Sequence, residues 1–108
     1  MLSRFQEKVD KLLAKENFAL DYRHNYATFR KFNNIEMHVY SDYIRFQDVT
    51  NKYELWNDLV IKYSEEKNLL LKLIPEIHKC KTFDYLKAKY ENMKLEIMLD
   101  RVLWQKAT

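Results

Sequence analysis

Nucleophiles and metal ligands are few in this chain, and they are scattered. Ser3, Ser41 and Ser64 are its three serines, and the first two sit where a helix cap and a turn are expected. The single cysteine, Cys80, lies two residues from His78 with no third group in view to orient the pair, as an activated nucleophile requires. His78 and Cys80 offer two ligands where zinc takes four, and His24 and His38 fall elsewhere, so no metal is expected. The 16 acidic residues are spread along the chain, and none occupies a recognisable acid-base setting. Glycine is absent altogether. Loops that cradle phosphate need glycine so that backbone N–H groups can approach the anion, and the serine elbow of hydrolases needs it for its strained turn. The dinucleotide fingerprint and the P-loop are therefore excluded, and the reading is a binding protein rather than an enzyme, with no cofactor.

Residues suited to recognition are more plentiful. The segment Tyr22-Arg23-His24-Asn25-Tyr26-Ala27-Thr28-Phe29-Arg30-Lys31-Phe32 interleaves rings with cations. Just beyond it, His38, Tyr40, Tyr43 and Arg45 alternate with apolar residues. Together with Arg23, Arg30 and Lys31 they compose a candidate partner-binding sheet face. Tyrosine and arginine dominate protein interfaces, and the same residue types can stack bases and track phosphates. A second basic patch, Lys79, Lys81, Lys87 and Lys89, surrounds the start of the last helix. Met98, Leu99 and Leu103 form an apolar surplus late in that helix, a candidate for self-association into a homodimer.

The elements that must position these residues follow from periodicity. Ser3 with Gln6 reads as a capping box, and Phe5, Val9, Leu12 and Leu13 repeat at helical spacing to about Glu16. Ile35 to Val49 alternates, and a two-residue loop at Ser41-Asp42 pairs Tyr40 with Tyr43, Val39 with Ile44, His38 with Arg45 and Met37 with Phe46. That register places Met37, Val39, Ile44 and Phe46 on one face, and the polar set on the other. Asn33-Asn34 serves as the preceding turn, since asparagine tolerates positive φ, and brings in a strand near residues 26 to 32.

From Asn51 the pattern reads as helix again. Asn51 with Glu54 resembles a capping box, Leu55, Leu59, Val60, Tyr63, Leu70 and Ile74 follow, and a break is expected at Ser64 to Asn68. Pro75 ends that helix. Thr82 caps the last one, where Phe83, Leu86, Tyr90, Met93, Ile97 and Trp104 form one stripe and Ala88, Leu95, Leu99 and Val102 a second.

The expected architecture is thus α+β, one compact domain over residues 1–108: an N-terminal helix, a three-stranded antiparallel meander, then two long C-terminal helices. The alternative is an all-α bundle, because Phe18, Tyr22, Tyr26 and Phe29 also fit helical spacing.

Composition bounds the rest. Hydrophobic residues make up 47% and charged residues 32%, the balance of a globular domain. The 19 basic and 16 acidic residues leave a formal charge of +3, with signs mixed along both halves, far from the excess of a nucleic-acid coating protein. A lone cysteine fits a reducing compartment, and the absence of a long apolar run leads to the expectation of a cytoplasmic location without membrane contact. Heavy use of Lys, Asn, Tyr, Phe and Ile, whose codons are AT-rich, points to a low-GC genome such as that of a bacterium or a phage of one, and the expected regulator is one encoded by a phage or other mobile element. The functional expectation is a small regulator or inhibitor that occupies a protein partner; the alternative is a small protein that binds RNA or single-stranded DNA through the aromatic and basic face.

Overall fold

The computed structural model describes residues 3–49 and 58–107, except for the side chains of 102–107. Helix α1 spans Arg4–Lys15. A five-stranded antiparallel sheet follows, formed by β1 (Leu20–His24), β2 (Ala27–Phe32), β3 (Ile35–Val39), β4 (Tyr43–Asp48) and β5 (Asp58–Lys62), with the strands adjacent in chain order. Helix α2 (Tyr63–Leu73), a 3-10 segment (Ile74–Lys79) and helix α3 (Phe83–Ala107) complete the chain.

Two features of this architecture correct the sequence-based reading. The sheet has five strands, not three, and an all-α bundle is ruled out by it. Two long C-terminal helices were expected, but only α3 is long; Leu59 and Val60, read as helical, belong to β5. Leu59 pairs with Phe46 and Ile61 with Ile44, so Leu59 and Ile61 turn inward on a hydrophobic strand pair. A five-residue alternation is invisible beside a flanking helical stripe, and only the long-range partner settles it. The cap assigned to Asn51 and Glu54 lies outside the described residues. At the other edge, Tyr22 pairs with Phe29 and His24 with Ala27, so the four-residue spacing of Phe18, Tyr22 and Tyr26 is strand and turn rather than helix.

Local signals elsewhere hold. Ser3 Oγ accepts from the Gln6 backbone N–H at 3.1 Å, which satisfies one of the free donors of the first turn. The Gln6 side chain does not return to the cap; it is 1% exposed and donates to the carbonyls of Tyr26 and Val39, tying α1 to the sheet. Asn17, with φ of 67°, ends α1 in the left-handed conformation usual for a residue just past a helix. Asn33, with φ of 53°, turns β2 into β3 and sets Phe32 opposite Ile35. The expected pairing of β3 with β4 is observed through Met37 with Phe46, His38 with Arg45 and Val39 with Ile44. α2 departs from helical geometry at Glu66, inside the expected break. Ile74 keeps helical dihedrals although Pro75 disfavours them, because its side chain is 1% exposed and pinned in the core. Thr82 Oγ1 accepts from the Tyr85 N–H at 3.1 Å, capping α3.

The core lies between one face of the sheet and the helices. Ile35, Met37, Val39, Ile44, Phe46 and Ile61 of the sheet meet Val9 and Leu13 of α1, Leu70 and Leu73 of α2, Ile77 of the 3-10 segment and Phe83 and Leu86 of α3. Every one of these is within 2% of full burial. Because strand residues alternate, this packing fixes which side chains stand on the opposite face.

Candidate partner-binding surface

The face opposite the helices is built from cross-strand pairs. Tyr22 of β1, Phe29 of β2, His38 of β3, Arg45 of β4 and Val60 of β5 follow one another across it by register. Tyr40 stands beside His38, and Tyr43 beyond it. Their rings are in contact throughout. Tyr22 stacks on Phe29 with centroids 4.4 Å apart, Phe29 meets His38 at 4.7 Å and Tyr40 edge-on at 6.2 Å, and Tyr40 meets Tyr43 at 4.8 Å. Tyr22 is 52% exposed, Val60 41%, and Phe29, Tyr40 and Tyr43 are half-buried by one another. Such contacts restrict the rotamers open to each ring.

Two of the charged side chains on this face have partners on it. Arg45 Nε lies 2.9 Å from Asp58 Oδ2, and His38 Nε2 lies 3.1 Å from Glu36 Oε2. With Nε2–H donated to Glu36, His38 Nδ1 keeps a buried lone pair that has no donor. Burial, and after it the neighbouring Tyr43, pushes the Tyr40 hydroxyl above its ordinary pKa, so it remains a neutral donor. Lys31 is exposed opposite Glu36.

His38, Tyr40, Tyr43, Arg45 and Lys31 thus share the expected face, and two of the expected residues do not. Arg30 pairs with Met37 and is on the helix side, 5% exposed, where Nη2 meets Asp10 Oδ1 of α1 at 2.8 Å and Nη1 donates to the Phe18 carbonyl. An arginine can enter a core face only with such partners, and with them it is part of the scaffold. Arg23 pairs with Thr28, also a helix-side position, but β1 is the edge strand and Arg23 stays exposed. Val60 and Asp58 are members of the surface outside the sequence reading, and Tyr22, which opens the aromatic and basic segment, was not assigned to the face. The signal for Val60 was the alternation of Leu59 and Ile61 around it; that for Tyr22 was hidden because its turn, Asn25-Tyr26, lacks the usual glycine.

Two features hold the end of the surface where β3 turns into β4. The Tyr63 hydroxyl is within 2.8 Å of the Tyr40 carbonyl and 3.0 Å of the Tyr43 carbonyl, and Ser3 Oγ donates to the Ser41 carbonyl at 3.0 Å. Without a positive-φ residue at Ser41 or Asp42, this turn is secured from outside by α1 and α2.

The second basic patch lies about the 3-10 segment and the start of α3, where Lys79 and Lys89 both act on the Glu76 carboxylate. Lys79 Nζ lies 2.8 Å from Glu76 Oε2, a contact that holds the Glu76 carboxyl below its ordinary range, while Lys81 and Lys87 are exposed and Lys89 is half-buried. His78 stacks on Phe18 at 4.3 Å and faces the Glu16 carbonyl, whereas Cys80 is fully buried with Sγ toward the Glu76 carbonyl, so the two do not converge. Among the described residues, no three His, Cys, Asp or Glu side chains gather as metal ligands, and no helix is long and apolar enough to cross a membrane. Met98 and Leu99 are exposed on α3; the side chain of Leu103 lies outside the described residues. Compared with family models, with curated proteins and with solved structures, the chain matches none.

Proposed function

We propose that this chain is a non-enzymatic binding protein that acts by occupying a protein partner, as a regulator or inhibitor, through the outer face of its sheet. The observation that carries this reading is the continuous run of ring contacts from Tyr22 to Tyr43 on the face opposite the helices. Pre-packed, partly exposed aromatics on a sheet are the material of interface hot spots. The charges favour a protein over a nucleic acid. Arg45 is paired with Asp58 and Arg30 is withdrawn into the scaffold, so neither arginine offers a free guanidinium to phosphate; of the cations on this face Lys31 and Lys62 stay exposed, a short supply for the backbone of an RNA or single-stranded DNA.

Immobilised protein tests the reading against lysate of its native host, with Tyr22→Ser and Tyr43→Ser variants alongside. A saturable protein partner that survives nuclease treatment and is lost with both variants, while their circular dichroism stays unchanged, is the expected result. Retention of the partner by both variants, or capture that disappears with nuclease, refutes it.

A further inference from the structure

The outward side of α3 carries a second apolar stripe that the described fold leaves uncovered. The inward stripe runs through Phe83, Leu86 and Tyr90, all in the core, and then Met93 and Ile97, which are half-buried. At about 100° per residue, Tyr85, Ala88, Asn92, Leu95 and Leu99 fall on the opposite side of the helix, alternately three and four residues apart. All five are exposed, Tyr85 at 51%, Leu95 at 55% and Leu99 at 52%, with Met98 beside them at 56%. From Glu91 to Arg101 every residue except Met93 and Ile97 is exposed, so this stretch has little of its own core to rest on. A helix so supported is marginal in water. The three-four spacing is that of a coiled-coil seam.

We propose that a second copy of this chain covers the seam, with the two α3 helices antiparallel about a two-fold axis passing between Met93 and Lys94. Leu99 then faces the partner's Ala88 and Leu95 faces the partner's Asn92, each contact made twice. Large side chains meet smaller ones, which lets the helices approach closely. Because the seam and the inward stripe lie on opposite sides of α3, each copy's sheet stays on the outside and the helices stack back to back. Charge selects the direction. In the antiparallel pair Lys89 comes beside the partner's Glu96, twice; in a parallel pair Glu91 would meet the partner's Glu96, twice, in repulsion. Asn92 at a seam position fixes the register at some cost in affinity. This surface is separate from the outer sheet face.

Light scattering over a concentration series tests the arrangement on the full chain. The expected mass at the upper end is that of two chains. Glu96→Lys turns two attractive contacts into two repulsive ones and weakens association by about tenfold, Lys89→Glu does the same, and the double variant recovers the dimer. Leu99→Glu gives single chains with unchanged secondary structure by circular dichroism, and Tyr22→Ser leaves the dimer intact. A single-chain mass throughout the series overturns the proposal, as does a Glu96→Lys variant that associates more tightly. Loss of the dimer in Tyr22→Ser overturns it too, and moves the contact to the sheet.

Discussion

Replacing Arg30 by alanine separates a scaffold arginine from a recognition arginine. The guanidinium places Nη2 at 2.8 Å and Nε at 3.2 Å from Asp10 Oδ1, and Nη1 donates to the carbonyl of Phe18, a residue 2% exposed. Truncation leaves the Asp10 carboxylate, among the described residues, with the Thr28 hydroxyl, which donates to it at 3.0 Å. Removing one partner of a buried pair costs about 3–5 kcal/mol. The Asp10 side chain keeps 17% of its exposure, so water takes up part of the charge and the lower end applies. An unsatisfied Phe18 carbonyl adds about 1 kcal/mol. The total, about 4 kcal/mol, is a large share of the roughly 5–15 kcal/mol that holds a domain of this kind together. Urea denaturation measures it as a lowered midpoint at constant slope. Arg23→Ala, at an exposed edge position, is the control and stays within about 0.5 kcal/mol of the parent. Adding Asp10→Asn to Arg30→Ala recovers part of the loss, since the stranded charge is the main cost. An Arg30→Ala midpoint indistinguishable from that of Arg23→Ala refutes the reasoning.

Three further outcomes are expected. Asn25 and Tyr26 have φ of 48° and 65°, a turn that prefers glycine at the second position, and the Tyr26 side chain is 73% exposed. Tyr26→Gly therefore stabilises by about 0.5–1 kcal/mol, the left-handed strain relieved less the entropy of glycine, and a thermal melt without any upward shift contradicts this. Burial first, then Asp42, raises the Tyr63 hydroxyl pKa, and burial first, then the hydrogen bond to Glu66, raises that of Tyr90. The folded chain holds these protons more tightly than the unfolded one, so their contribution is complete below the unfolded value of about 10 and is lost as pH rises beyond it. Tyr90→Phe flattens the fall in stability above about pH 10, and an unchanged profile counts against the assignment. Phe46→Ala, fully buried between sheet and helices, loses about 3–5 kcal/mol in the same urea assay; a loss under about 1 kcal/mol contradicts the core described.

The legible parts of this fold are those whose information is local. The hairpin of β3 and β4 could be paired residue by residue because its alternation spans both strands and its loop is short. Ser3 and Thr82 announced their helices because a cap needs only the next three residues. The absence of glycine pointed to asparagine turns, and Asn33 takes that role; Asn17 and Asn25 do so as well, where no turn had been assigned. Within the candidate surface, His38, Tyr40, Tyr43 and Arg45 were identified by that same alternation.

What the chain could not declare alone is whatever depends on a distant partner. β1 and β5 carry spacings that suit helix as well as strand, and pairing of Tyr22 with Phe29 and of Ile61 with Ile44 decided between them. The side taken by Arg30 is implied once Phe32 faces Ile35, yet a buried arginine is tolerable only because Asp10 waits on α1, twenty residues earlier. Sequence by itself determined the alternating face, the caps at Ser3 and Thr82 and the turn at Asn33, since each rests on neighbours a few residues apart. Only the tertiary structure decided the number of strands, the withdrawal of Arg30 and the contacts that join the rings from Tyr22 to Tyr43, because backbone pairing and charge burial take their energy from groups that folding alone brings together.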